Sequence, residues 1–243
     1  MKTLGKIAMV TGAGKRLGRR LALAFADRGY NVVLHYNSSE SGAKAVAKLI
    51  EEKGRECLLV RADLSKISEI DRAAKEIASE IDSLDVLVHN AAIFPTRKFE
   101  EVDAELWDAT MNTNLRSIFF LTQALVPLLE KAAAPSIINL ASLGGYEPWV
   151  NHIPYCVSKA GVVMLTKALA KKLAPAIRVN AIAPGIIVLP DEEVREHLPT
   201  ERIPLGRYGT AQDLISAVFF LAETAEYMTG NVLALDGGQL HAR

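Results

Sequence analysis

Residues 6–18 read Lys-Ile-Ala-Met-Val-Thr-Gly-Ala-Gly-Lys-Arg-Leu-Gly: a short apolar run, then a turn with glycine at 12, 14 and 18. The run Lys6 to Val10 is stopped by Thr11-Gly12 and reads as a buried strand. An Ala/Leu-rich stretch at helical spacing follows to Arg28, and Gly29 ends it. Glycines between a strand and a helix let the backbone approach a diphosphate, while the helix N-terminus offers N–H donors and a favourable dipole. Gly12, Gly14, Leu17 and Gly18 are therefore candidate cofactor contacts. The plainer reading is a tight turn that needs glycine for its own geometry. The strand before and the helix after favour the cofactor.

Outward from this turn, strands and helices alternate. Strands are expected over Asn31 to His35, Glu56 to Arg61, Asp85 to His89, Ser136 to Ala141, Ile177 to Ile182 and Val232 to Leu235. Helical spacing covers Ser41 to Lys53, Ile67 to Ile81, Ala104 to Glu130, Tyr155 to Leu173 and Ala211 to Ala222. Seven strands in this alternation imply a single-domain Rossmann fold over 1–243, with a parallel sheet and helices on both faces.

In dinucleotide folds an acid at the end of the second strand binds the ribose 2′-hydroxyl and selects NAD. Here the segment is His35-Tyr36-Asn37-Ser38-Ser39, and the first acid is Glu40. Tyr36, Asn37 and Ser38, with Arg16 from the glycine turn, suit a 2′-phosphate better and point to NADP(H); the alternative is ordinary turn residues. Asp63, before Leu64, either touches an adenine ring or caps the next helix. Asn90 and Ala91 end the fourth strand, where open α/β sheets place ligands. Phe94 in that loop either stacks on a flat ligand or is partly buried packing. Asn114 is a poor helix former inside a helical pattern, so a specific polar task is expected of it. Pro184-Gly185 open an irregular stretch to about Pro204, read as a binding lid that chooses substrate.

Tyr155 and Lys159 stand four apart on one helical face. A phenol titrates near pH 10, and a neighbouring ammonium favours its anion. The pair is thus expected to be a usable acid/base at neutral pH. An isolated Tyr-x-x-x-Lys arises by chance in many helices. This one has Ser142 thirteen residues upstream, at the end of an apolar run, and the glycine turn at the start of the chain.

Half of the 243 residues are apolar, and 28 Lys+Arg balance 28 Asp+Glu. That balance gives no pointer to nucleic acid or an acidic membrane surface. Cys57 and Cys156 lack metal-ligand spacing, no metal is expected, and a reducing, cytoplasmic setting fits. No signal peptide or membrane span is read from the sequence.

The pieces TGAGKRLG (11–18), Asp63-Leu64, Asn90-Ala91, Asn114, Ser142, Tyr155-x-x-x-Lys159, RVNAIAPG (178–185) and TGNVLALDGG (229–238) together resemble the short-chain dehydrogenase/reductase family over essentially the whole chain. Arg16 within the glycine turn, LHYNSS (34–39), NAAIFPT (90–96) and PGIIVLP (184–190) are similar to its pteridine reductase branch. Ser142 departs from that branch, whose better-known members have Asp there; Ser is the ordinary choice for carbonyl reduction. The resemblance implies NADPH-dependent hydride transfer with Asn114, Ser142, Tyr155 and Lys159 as the catalytic set. Tyr155 would donate the proton. Lys159 would tune it and bind the nicotinamide ribose, and Asn114 would hold a water that reconnects Lys159 to solvent. Pro184 and Gly185 join the cofactor set, and Arg16, Phe94, Ser142 and Tyr155 would meet substrate. A pterin is the first expectation for that substrate. A carbonyl or 3-oxoacyl compound is the alternative, and a silent dinucleotide-binding sensor the alternative of another class. The resemblance also implies a homotetramer. The apolar segments Ile118 to Leu129 and Val232 to Leu240 suit its interfaces, or the core equally well.

Overall fold

Seven short apolar runs, each ended by a glycine or a polar residue, leave little choice but strands buried on both faces. The computed structural model describes residues 5–190 and 199–241. Its strands are β1 (Ile7–Val10), β2 (Asn31–Tyr36), β3 (Cys57–Arg61), β4 (Val86–His89), β5 (Ser136–Leu140), β6 (Arg178–Pro184) and β7 (Val232–Leu235). All pair in parallel, in the order β3-β2-β1-β4-β5-β6-β7. The order reverses between β1 and β4, so a crevice opens at their C-terminal ends.

The helices are α1 (Arg16–Asp27), α2 (Glu40–Glu52), α3 (Ile67–Glu80), α4 (Ala104–Met111), α5 (Ser117–Leu129), α6 (Ile153–Leu173) and α7 (Ala211–Phe219). One core joins α1, α2 and α7 to one face of the sheet through Leu21, Phe25, Val46, Ile50, Leu214 and Val218. The other face carries α3 and α5 through Ile70, Ile77, Leu121 and Leu125, and α6 closes on β6 through Val162 and Val163. By length and composition α6 passes as a possible membrane span. Here it lies against β6, with Ser158, Lys159, Val162 and Thr166 buried in the protein.

Two boundaries differ from the sequence expectation for a physical reason. The stretch expected as one helix over Ala104 to Glu130 is interrupted by a π-turn at Asn112–Arg116, where one extra residue is accommodated. A second π-turn, Phe220–Thr224, takes the end of the last helix. Such bulges are frequent at functional sites, and the first one carries Asn114. Of the expected lid, residues 191–198 lie outside the described ones. On its flanks Ile187 bridges Gly209, and Leu189 is buried.

Candidate active site

The glycine turn is pinned from below by side chains at the ends of three strands. Thr11 Oγ1 accepts the N–H groups of Asn90 and Ala91, both at 2.9 Å. Asn90 Nδ2 donates back to Thr11 O at 2.7 Å. Gly12 has φ +66°, a conformation that L side chains rarely adopt, and its N–H donates to His35 Nδ1. A methyl group at Gly14 would overlap the Ser39 hydroxyl, and one at Gly18 would overlap the Gly12 carbonyl. Backbone therefore packs on backbone here, as a phosphate cradle requires. Helix α1 has no acidic residue in its first turn and no side-chain cap, so no side chain of its own neutralises its N-terminal dipole. These residues fit a dinucleotide. Arg16 is exposed at φ +51°, and among the described residues it is the one non-glycine with positive φ.

At the end of β2 Tyr36 is buried, while Asn37 and Ser38 beyond it are exposed. It is Ser39 that packs on Gly14, a neighbour of the residue the sequence singled out. Asp63 closes a local turn before α3 without capping the helix: Oδ1 accepts from Ser65 N at 3.0 Å and Ser65 Oγ at 2.7 Å, while Lys66 stands at the helix start with no side-chain cap. Leu64 is buried in the core behind it. At the other end of the crevice the Gly185 N–H donates to Leu235 O, tying the Pro184-Gly185 turn to β7.

Ser142 follows β5 and opens a 3₁₀ turn, Leu143–Gly145, its Oγ accepting from Gly144 N at 3.1 Å. Its hydroxyl also stands near the Tyr155 phenol, where it favours the phenolate. Lys159, one turn along α6, is buried, donates from Nζ to Leu140 O at 2.6 Å, and sits 5.7 Å from the centre of the Tyr155 ring. The electrostatics differ from the expectation. Burial pushes the Tyr155 phenol up, and the nearby Ser142 hydroxyl pulls the other way. Burial also lowers the Lys159 ammonium to about 8. Desolvation outweighs the ammonium because both groups have lost their water.

Asn114 has the specific polar task expected of it. Oδ1 accepts from Ile93 N at 2.8 Å, and Nδ2 donates to Ile93 O at 2.9 Å and Ser158 Oγ at 3.2 Å. Its side chain thereby holds the 90–94 loop against α6. Ser158 Oγ in turn donates to Tyr155 O, so the loop, the π-turn and the start of α6 form one connected unit.

That unit carries an aromatic cluster. The Phe94 ring stacks on His152 with centroids 4.2 Å apart and meets the Tyr155 ring edge-on at 4.6 Å. Trp149 lies parallel to Tyr155 at 6.1 Å. His152 Nδ1 bonds Pro95 O at 2.9 Å, which joins the Phe94 loop to the entry of α6. Sequence reasoning singled out Phe94 but missed Trp149 and His152. For His152 the signal is its place three residues before Tyr155, at the entry of α6. Among the described residues no His, Cys, Asp or Glu side chains cluster as metal ligands.

A family model described as enoyl-(acyl carrier protein) reductase matches residues 12–239. The chain belongs to the short-chain dehydrogenase/reductase family. Among relatives of this family, the 3-oxoacyl-acyl-carrier-protein reductase FabG of Staphylococcus epidermidis is 37% identical over 242 residues, covering 97% of this chain and 99% of the relative. FabG of Aquifex aeolicus is 35% identical and covers 98% of both chains. The solved acetoin dehydrogenase of Enterobacter cloacae superposes with a TM-score of 0.89 at 27% identity, covering 100% of this chain and 98% of the other. A structure from Sinorhizobium meliloti 1021 described as a short-chain alcohol dehydrogenase gives 0.90 at 33% identity, covering 100% and 99%. The protein is therefore an oxidoreductase of this family, and these names side with carbonyl chemistry rather than with the pterin expected first.

Proposed function

We propose that the protein reduces ketone groups of the 3-oxoacyl thioester type with NADPH, with Tyr155 as proton donor. The observation that carries this reading is the hydroxyl pair: Ser142 beside the Tyr155 phenol, with Lys159 one turn away on α6. A ketone oxygen received between two hydroxyls accepts from both, is held in line, and takes the Tyr155 proton as negative charge develops on it. Burial keeps the phenol protonated at rest, which suits a proton donor. Lys159 is charged below about pH 8 and stabilises the phenolate left behind. When bound, the reduced nicotinamide supplies the hydride.

Gly12, Gly14, Leu17 and Gly18 would line its diphosphate. Arg16, Tyr36, Asn37 and Ser38 would meet the 2′-phosphate. Asp63 would meet the adenine with Leu64 behind it, and Asn90, Ala91, Pro184, Gly185, Tyr155 and Lys159 would complete the set. Asn114 is a positioning residue that acts through Ile93 and Ser158.

A second reading, pterin reduction, is favoured by the aromatic cluster, because Phe94 is 51% exposed beside Tyr155 and offers a flat wall. NADPH oxidation with a 3-oxoacyl thioester and ketones, against dihydrobiopterin and dihydrofolate, separates the two. For a ketone, Ser142→Ala depresses turnover strongly and Phe94→Ala does little. For a pterin, Phe94→Ala weakens substrate binding far more than NADPH binding. Turnover of pterins alone overturns the first reading.

We also infer a cytoplasmic homotetramer. Trp107, Phe119, Val157 and Met164, exposed by 37–64% on α4, α5 and α6, supply apolar surface for its contacts. A monomer by light scattering refutes it.

A further inference from the structure

His35 lies in β2, is 2% exposed, and has both ring nitrogens engaged by backbone. Nε2 sits 3.0 Å from the carbonyl of Ala62, which can only accept, so Nε2 carries the proton. That tautomer leaves a lone pair on Nδ1, which accepts the Gly12 N–H at 3.1 Å. The His35 carbonyl accepts the next amide, that of Ala13, at 2.8 Å. Two consecutive amides of the glycine turn thus rest on one residue. Ala62 is itself anchored, its N–H donating to Tyr36 O, and it directly precedes Asp63-Leu64. Burial lowers the imidazole to about 4, so at neutral pH it stays in the neutral form this arrangement needs.

We propose that His35 is a positioning residue for NADPH binding, its Nδ1 fixing the Gly12 turn and its Nε2–H···O=C bond to Ala62 fixing the tautomer that makes Nδ1 an acceptor. This rests on the reading of the glycine turn as the cofactor cradle. Gly12 at φ +66° has wide backbone freedom, and the lone pair beneath it selects one orientation of its N–H. Ordering that turn before the cofactor arrives spares its cost on binding.

Two isosteres separate this role from plain packing. In His35→Asn the new side-chain oxygen falls near the place of Nδ1 and still accepts from Gly12, with no tautomer to fix. His35→Gln places its amide near Nε2, keeps the Ala62 contact and strands the Gly12 N–H. Each loses one buried hydrogen bond, so a merely structural residue would show similar loss of stability and similar NADPH affinity in both. The proposal expects NADPH, titrated by its fluorescence, to bind the Gln variant about tenfold more weakly than wild type. The Asn variant stays within about threefold, and the Gln change appears in KM for NADPH with kcat little altered. Equal affinities in all three proteins, or equal losses in both variants, overturn it. No NADPH binding by the wild type overturns the cradle reading instead. Should the Gln variant fail to fold, the ¹⁵N shifts of the wild-type imidazole decide: an Nε2–H tautomer kept on adding NADPH supports the proposal, and an Nδ1–H tautomer overturns it.

Discussion

Replacing Arg16 by glycine should raise the stability of the free protein while weakening its grip on NADPH. Arg16 is the first residue of α1 and is held at φ +51°. A side chain with a Cβ spends about 1–2 kcal/mol in that left-handed region. Glycine spends almost none, but its unfolded chain is freer by about 0.4–1 kcal/mol. The backbone difference favours Arg16→Gly by about 0–1.6 kcal/mol, from which the contacts of the Arg16 side chain in the free protein are subtracted, so the melting temperature rises by at most about 6 °C for a chain of this size. A charge-assisted contact between the guanidinium and a cofactor phosphate is worth about 1.5–3 kcal/mol, so its loss weakens NADPH about 10- to 100-fold.

Thermal unfolding with and without NADPH reads both effects at once: the free variant melts higher, and the shift produced by a fixed NADPH concentration shrinks. Arg16→Ala separates them, since it keeps the strained φ, loses the charge and shows only the weaker binding. A lower melting temperature for Arg16→Gly would mean that the side chain's own contacts outweigh the backbone strain. Unchanged NADPH affinity would remove Arg16 from the phosphate site.

The proton donor and a buried histidine give two further tests. Tyr155→Phe should cut turnover by about 10²–10⁴ with NADPH affinity little changed, and near-full turnover on the true substrate would refute the assignment. His89 is buried, bonded through Nε2 to Thr122 Oγ1 at 2.9 Å, and burial lowers it to about 3. The unfolded imidazole takes up a proton below about pH 6.5 and the folded one does not, so stability is fully present above that pH and falls on acidification. The slope is up to about 1.4 kcal/mol per pH unit. His89→Gln should flatten urea-unfolding stability between pH 6 and 4 by up to that amount, and an unchanged slope would mean that His89 titrates normally in the fold.

The fold was legible because each strand is an apolar run closed by a glycine or a polar turn, and each helix lies between two such runs. The alternation implied a parallel sheet with helices on both faces, whereas the strand order β3-β2-β1-β4-β5-β6-β7 is set by where each crossover lands, which no single residue marks. The π-turn at Asn112–Arg116 was not legible, since a single extra residue leaves the apolar spacing on either side nearly intact. The catalytic residues were legible as types: Ser142 at a strand end, Tyr155 and Lys159 four apart. Their titration was not. Burial of Tyr155 and Lys159 comes from elements far along the chain, and it reverses the direction that the neighbouring ammonium alone implies for the phenol. Asn114 could be marked as polar and out of place, but its partner Ile93 lies 21 residues away across a loop.

Substrate choice turns on the same limit. Phe94 as a residue type suggested a stacking wall, and its surroundings narrow what that wall can hold. With His152 stacked at 4.2 Å and inclined by 8°, no third ring fits between the two. A flat substrate would have to take the opposite face of Phe94, with the edge-on Tyr155 ring at 4.6 Å as its neighbour. A ketone needs no such face. It needs the two hydroxyls of Ser142 and Tyr155, which already stand side by side. The exposed face of Phe94 is then spare for a ketone, which is why Phe94→Ala is expected to cost ketone turnover little while Ser142→Ala costs it much.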